Sequence, residues 1–199
     1  EAAFKDMFFK FQKFVGLLII PIGVGIFCFL YFVTEILLGN QWGEAAQFIG
    51  LWGLTSSITI VLSHYSSEVY RAKGRPKLSV LAQFLHLIVL LPTVLIAVRY
   101  GFRILTISRA LVRLEMIIVN LMIMYVVFKV SPLKMFGNIS YSMIASLVMA
   151  VLSIILQTIS VSFVWSSISI LICAVLYLTI IFAKKSNREI LRQLLNKRI

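Results

Sequence analysis

The chain has 199 residues, of which 61% are hydrophobic and 13% charged, with a mean hydropathy of +1.02. Soluble domains carry about 45–50% apolar and about 25% charged residues, so a water-soluble globular domain is excluded and an integral membrane protein is expected. Basic residues outnumber acidic ones 19 to 7, a net charge of +12, and the positions of those charges decide what they serve.

The chain opens EAAFKDMFFKFQKF, without an initiator Met and without the pattern of a signal peptide. Phe4, Phe8, Phe11 and Val15 follow helical spacing, while Lys5, Asp6, Lys10 and Lys13 lie off that stripe. A basic amphipathic helix of this kind lies along a membrane interface. Residues 1–13 therefore read as an interfacial connector, and a start of this type suits a fragment of a longer chain.

Six apolar runs follow, at 14–38, 45–65, 78–98, 105–128, 135–157 and 163–183. Each reaches the roughly 20 residues needed to cross a hydrocarbon core of about 30 Å. The short alternating segments of a membrane barrel are missing. Residues 14–183 are thus expected to form an all-α, six-span transmembrane bundle with no separate soluble domain. Residues 184–199 read as a basic amphipathic tail, with Ile190, Leu191, Leu194, Leu195 and Ile199 towards lipid and Arg188, Arg192 and Lys197 in water.

Of the 19 basic residues, 15 lie before the first span or in the connections after the second, fourth and sixth. Opposite them are only Arg99 and Arg103. This bias predicts both termini on the cytoplasmic side. A nucleic-acid surface would gather its charges on one exposed face, so nucleic acid is set aside. Arg71, Lys73, Arg75 and Lys77 form a basic cytoplasmic loop that either sets topology and attracts anionic headgroups or marks where an anionic lipid loads.

Within the spans, Pro21, Gly23 and Gly25 of the first either allow a bend that flexes in gating or serve close packing. In the second, Trp52, Ser56, Thr59, Ser63, Ser66 and Tyr70 recur at steps of three and four and share one face. Such a stripe must meet protein or water, because hydrocarbon offers no partner. It either lines a wet cavity, with Trp52 stacking on a sugar ring, or packs against another helix. The fifth span has a comparable line of small residues at Ser142, Ser146, Ala150, Ser153 and Gln157, which suits packing.

The fourth span carries Arg109, Arg113, Met116 and Asn120 on one face, whereas Glu115 lies about 160–200° around the helix from Arg113. Two cations without a counter-ion on their own helix suit an anion such as pyrophosphate; anchoring at the interface or pairing with another helix are the other readings. Counting back about 20 residues from Phe128 puts the outer boundary near Arg109. Cys28 and Cys173 fall in apolar runs as inert thiols, and His64 and His86 have no partner at ligand spacing. No metal or cofactor is expected. Asn138-Ile139-Ser140 has the form of a glycosylation acceptor on the wrong side. Glu35 and Glu44 flank an outer loop.

A family resemblance enters with EILLGNQWGEAAQFIGLWGL, which follows a span opened by PIGVG. Pro21, Leu38-Gly39, Trp42 and Ala45-Ala46, then Ala72, Gly74 and Lys77 of RAKGRPK, then the Tyr100-Gly101 turn, resemble the C-terminal half of bacterial polysaccharide flippases. These belong to the multidrug/oligosaccharidyl-lipid/polysaccharide exporter superfamily. The likeness covers roughly residues 14–134, and the span spacing agrees to the end. It implies two six-helix halves around a cavity, with an N-terminal half in the same chain. It also implies an undecaprenyl-pyrophosphate-linked oligosaccharide as cargo, moved by alternating access across the bacterial inner membrane.

Two rival readings are a multidrug-type cation antiporter and a membrane-embedded polymerase or transferase. The first would use a buried carboxylate, for which only Glu115 is available within a span. The second would need acidic or histidine-bearing loops for acid–base or metal work, and the outer loops hold only Glu44 and Glu35. Transport rather than enzymatic chemistry is the expectation.

Overall fold

A chain this apolar must close its backbone hydrogen bonds within itself, and helices do so segment by segment. The computed structural model describes residues 2–185, 187 and 188. In order, the helices are α1 (Ala2–Cys28), α2 (Leu30–Leu38), α3 (Ala46–Thr59), α4 (Tyr65–Ala72), α5 (Lys77–Ala97), α6 (Phe102–Phe128), α7 (Pro132–Ile159) and α8 (Phe163–Ala183). A 3-10 segment at Asn40–Ala45 leads into α3, and a π-helical turn at Ile60–His64 joins α3 to α4. The described residues contain no strand. Six helical stretches are long and apolar enough to cross a membrane: Ala3–Cys28, Asn40–Ala72, Lys77–Tyr100, Phe102–Phe128, Pro132–Ile159 and Phe163–Ala183.

The six expected runs each fall in one of these stretches, with differences at the first. Helix α1 passes position 13 without a break, so the boundary between connector and span lies inside one helix. Nothing near that boundary interrupts helical hydrogen bonding, and one face of the stretch is anchored: Phe8 is 2% exposed and its ring lies 5.2 Å from that of Tyr65. Asn138 donates to the Phe9 carbonyl at 2.7 Å. Phe11, in contrast, is exposed. The hydrophobic face of the expected tail, 190–199, lies outside the described residues.

The helices pack as a row, α8 on α7, α7 on α1, α1 on α3, α3 on α6 and α6 on α5. Helix α1 stands at the centre and serves two cores. One joins Phe8 and Ile20 to Leu62 of the π turn, Met124 of α6 and Ile139 of α7. The other joins Leu17 and Phe29 to Met149 of α7 and to Cys173 and Tyr177 of α8. Both cysteines are free thiols.

Pro21 does not end α1. It removes the N–H that would bond the carbonyl four residues back, which is that of Leu17. The Tyr177 hydroxyl of α8 donates to that carbonyl at 2.7 Å. Ser142 of α7 donates to the Gly16 carbonyl at 2.9 Å and stands 2.9 Å from the same Tyr177 hydroxyl. Neighbouring helices thus close what the proline opens. The helical break comes later, at Phe29, whose φ of −107° and ψ of 35° separate α1 from α2.

Gly23 is a packing residue in this arrangement. A Cβ there would run into the Ser57 side chain and come within 2.7 Å of the Gly53 carbonyl oxygen, so α1 and α3 cross closely only because it is absent. At Gly25 a Cβ would meet nothing within 4 Å.

The π turn and α4 are locked to α6 by Asn120, which is 0% exposed. Its amide donates to Ser63 Oγ at 2.8 Å and to the Met116 carbonyl at 2.9 Å. Its Oδ1 accepts from the Tyr70 hydroxyl at 3.0 Å. Every polar atom of the asparagine side chain therefore has a partner inside the protein.

Two stability predictions follow from these contacts. Gly23→Ala is expected to lower the unfolding free energy by about 1–3 kcal/mol through overpacking, whereas Gly25→Ala shifts it by no more than about 1 kcal/mol, on the stabilising side. Asn120→Leu removes the side-chain partner of Ser63 and Tyr70, leaving each hydroxyl only its longer bond to a backbone carbonyl, at 3.4 and 3.3 Å, and is expected to cost about 1–3 kcal/mol. Detergent unfolding curves followed by helical circular dichroism check both; a Gly23 variant as stable as the Gly25 variant would contradict the close crossing.

Candidate functional site

Where α3 passes α6, the packing stops short of closure. Trp52 sits on α3, with Ser56 one turn further along. Arg109 and Arg113 are four residues apart on α6 and so share its face. The Arg113 guanidinium lies over the Trp52 ring, its Cζ 4.1 Å from the ring centre, and its Nη1 donates to Ser56 Oγ at 2.6 Å. Arg109 approaches the same ring at 5.6 Å. Both distances suit cation–π attraction.

A hollow of about 180 Å³ opens beside this cluster, walled by Trp52, His64, Gln83, His86, Arg109 and Arg113 among others. Arg109 also walls a neighbouring hollow of about 250 Å³, which shares Phe102 and Thr106 with a third of about 510 Å³. Glu44, Gln47 and Arg103 border that third space. Three hollows that share wall residues therefore lie between the loop joining the first two spans and Arg113.

Helix α6 begins at Phe102 and ends at Phe128, which puts Arg113 two residues from its midpoint. The helix continues about two turns beyond Arg109, the residue at which the outer hydrocarbon boundary is expected. Among the described residues no carboxylate lies within ion-pair distance of either arginine. Two like charges one turn apart repel. Here the indole face and one hydroxyl are their named partners, and donors of the planar guanidinium forks remain for an anion to accept from.

The π turn explains how His64 joins the site. Twelve residues separate it from Trp52, which in a regular helix puts it about 120° away around the axis. The extra residue of a π turn sets the following helix back by about 100°. His64 then comes close to the Trp52 face and lines the same hollow.

The polar stripe is divided. Trp52 and Ser56 meet the arginines, but Thr59, Ser63 and Asn120, expected on that lining, are fully buried. Thr59, which precedes the π turn, donates to the Thr55 carbonyl at 2.7 Å, and the other two belong to the lock between the π turn and α6. The basic loop is elsewhere: Arg71 lies about 28 Å along the helix from Trp52. There Arg71 pairs with Glu68 at 3.3 Å and Lys73 Nζ lies 4.0 Å from the Phe4 ring centre, while Arg75 and Lys77 are exposed. Pro21 and Gly25 border an apolar hollow of about 440 Å³ between α1, α7 and α8, and Gly23 sits at the α1–α3 crossing.

His86, without a partner at ligand spacing along the sequence, meets one across helices. Its Nδ1 lies 3.0 Å from Glu115 Oε2, joining α5 to α6. The sequence signal was symmetry about the turn. His86 stands 14 residues before Tyr100 and Glu115 stands 14 after Gly101, so an antiparallel hairpin turning there brings them level.

Residues 1–47 match the model of a family described as "Polysaccharide biosynthesis protein". No curated protein and no solved structure matches the chain. The matched stretch includes Pro21, Leu38-Gly39, Trp42 and Ala45-Ala46, and it supports a role in polysaccharide synthesis or export for a multi-pass membrane protein.

Proposed function

We propose that the chain forms one six-helix half of a flippase that moves an undecaprenyl-pyrophosphate-linked oligosaccharide across the bacterial inner membrane. A second six-helix half in the same polypeptide would complete the cavity, and alternating access would carry the cargo. One observation carries the reading: Arg113, two residues from the midpoint of α6, and Arg109, one turn nearer its start, are held by Trp52 and Ser56, with no carboxylate paired to them among the described residues. A cation in that position is by default functional, and a pyrophosphate offers the oxygens that guanidinium forks bind best. The family match supports the glycan side of the proposal.

The parts then take distinct roles. Arg109 and Arg113 bind the pyrophosphate, and Trp52 holds both guanidiniums while keeping an edge for the first sugar. The charge bias supports cytoplasmic termini, and on that side Arg71, Lys73, Arg75 and Lys77 would attract anionic headgroups. The protein performs no covalent chemistry in this scheme. Engagement of Glu115 by His86 weighs against a free carboxylate waiting for a cationic drug.

Replacing both arginines, as Arg109→Ala with Arg113→Ala, is expected to cut glycan export by about 10- to 100-fold, the loss of charge-assisted bonds to one anion. Surface polysaccharide in a strain dependent on this gene supplies the readout, with membrane-inserted protein measured in parallel. Full export from a stably inserted double variant would sink the proposal.

A further inference from the structure

The His86–Glu115 pair lies outside the roles assigned so far. It joins two apolar helices near the middle of α6, with side chains 16% and 24% exposed. We propose that it is a proton-binding site linked to the arginine hollow, so that a proton and a phosphoryl anion bind cooperatively. The inference rests on the reading of Arg109 and Arg113 as an anion site and names how that site is regulated.

Position supplies the first argument. His86 is a wall of the hollow that Arg109 and Arg113 also wall, and it reaches Glu115 on its other side. Its Nδ1 is engaged by the carboxylate, while its Nε2 makes no hydrogen bond among the described residues. A proton can therefore add at Nε2 from the hollow without breaking the contact to Glu115. The ring passes from neutral imidazole to imidazolium, and the carboxylate is already in place as its counter-ion.

Charge supplies the second. The charged or titratable groups sharing the hollow with His86 are His64 from the π turn and Arg109 and Arg113 from α6. With the hollow empty, two guanidiniums wall it and Glu115 is not among its walls, so a third cation adds to their repulsion. A bound anion reverses that balance and raises the affinity for the proton. Linkage is reciprocal, so the proton must raise the affinity for the anion by the same factor. A purely structural pair would cross-link α5 and α6 equally well in either state and would leave anion affinity independent of pH.

Calorimetry on the full-length chain in detergent tests this, with UDP-glucose as a soluble pyrophosphate diester whose charge is constant through the histidine range. Binding is expected to tighten on acidification, by up to tenfold per pH unit at about one proton per anion. Titrations in buffers of different ionisation enthalpy should register proton uptake. His86→Gln removes that slope whatever its affinity at high pH, Glu115→Gln weakens it by taking away the imidazolium's counter-charge, and His64→Gln retains it. Binding that is lost in the arginine double variant but shows no pH slope in the unaltered protein overturns the proton site alone. A slope that survives His86→Gln, or disappears with His64→Gln, does the same. Failure of the unaltered protein to bind overturns the anion site and this proposal with it.

Discussion

Hydrocarbon accepts no hydrogen bonds, and that constraint organises the molecule from α1 outward. Pro21 leaves the Leu17 carbonyl without its helical donor, and the Tyr177 hydroxyl supplies one from α8. Ser142 adds a bond from α7 to the neighbouring Gly16 carbonyl. The central helix is thereby tied to α7 and α8 by groups that an ordinary helix would not need. On its opposite side, Gly23 lets α3 approach until backbone and side chain touch. The row of helices depends on α1 being defective on one face and narrow on the other.

Satisfaction of polar groups is complete in some places and incomplete in others, and the contrast is informative. Asn120 has a partner for its oxygen and for its amide, with Ser63 and Tyr70 closing the set. Such a closed network rigidifies a contact and leaves nothing for a ligand. Two turns away on α6, Arg113 has a hydroxyl and an indole face but no counter-charge among the described residues. The same face of one helix thus holds a finished structural lock and an unfinished electrostatic site, and the π turn on the facing helix separates them. Such turns recur at functional positions because the inserted residue redirects side chains without ending the helix.

Helix α5 buries the least of the six spanning stretches, and its principal neighbour is α6. Its side-chain polar contacts to the bundle are correspondingly few among the described residues: Ser79 donates to the Ser67 carbonyl at 3.4 Å near its start, and His86 meets Glu115 near its middle. Beyond its start, that second contact is what besides apolar packing fixes its rotation, so the charge state of the pair bears on how the wall of the hollow sits.

Much of the architecture was legible in the amino-acid sequence, because hydropathy reports directly on the solvent that each segment requires. The six spans and their boundaries from 163 to 183 needed no packing information. The adjacency of Arg109 and Arg113 on one face followed from helical periodicity alone, as did the angular separation of Glu115. Periodicity failed where a regular helix was assumed. The stripe from Trp52 to Tyr70 reads as one face only if no residue is inserted, and the π turn at Ile60–His64 parts Ser63, Ser66 and Tyr70 from Trp52 and Ser56. Tertiary contact alone decided that Gly23 is a crossing and Gly25 open, since the two look alike until a neighbour occupies one side. It also decided that His86 meets Glu115, since a pairing across a hairpin exists only once two helices lie antiparallel in register. Local rules assign what each residue's own helix requires; which polar groups meet across helices depends on who lies opposite.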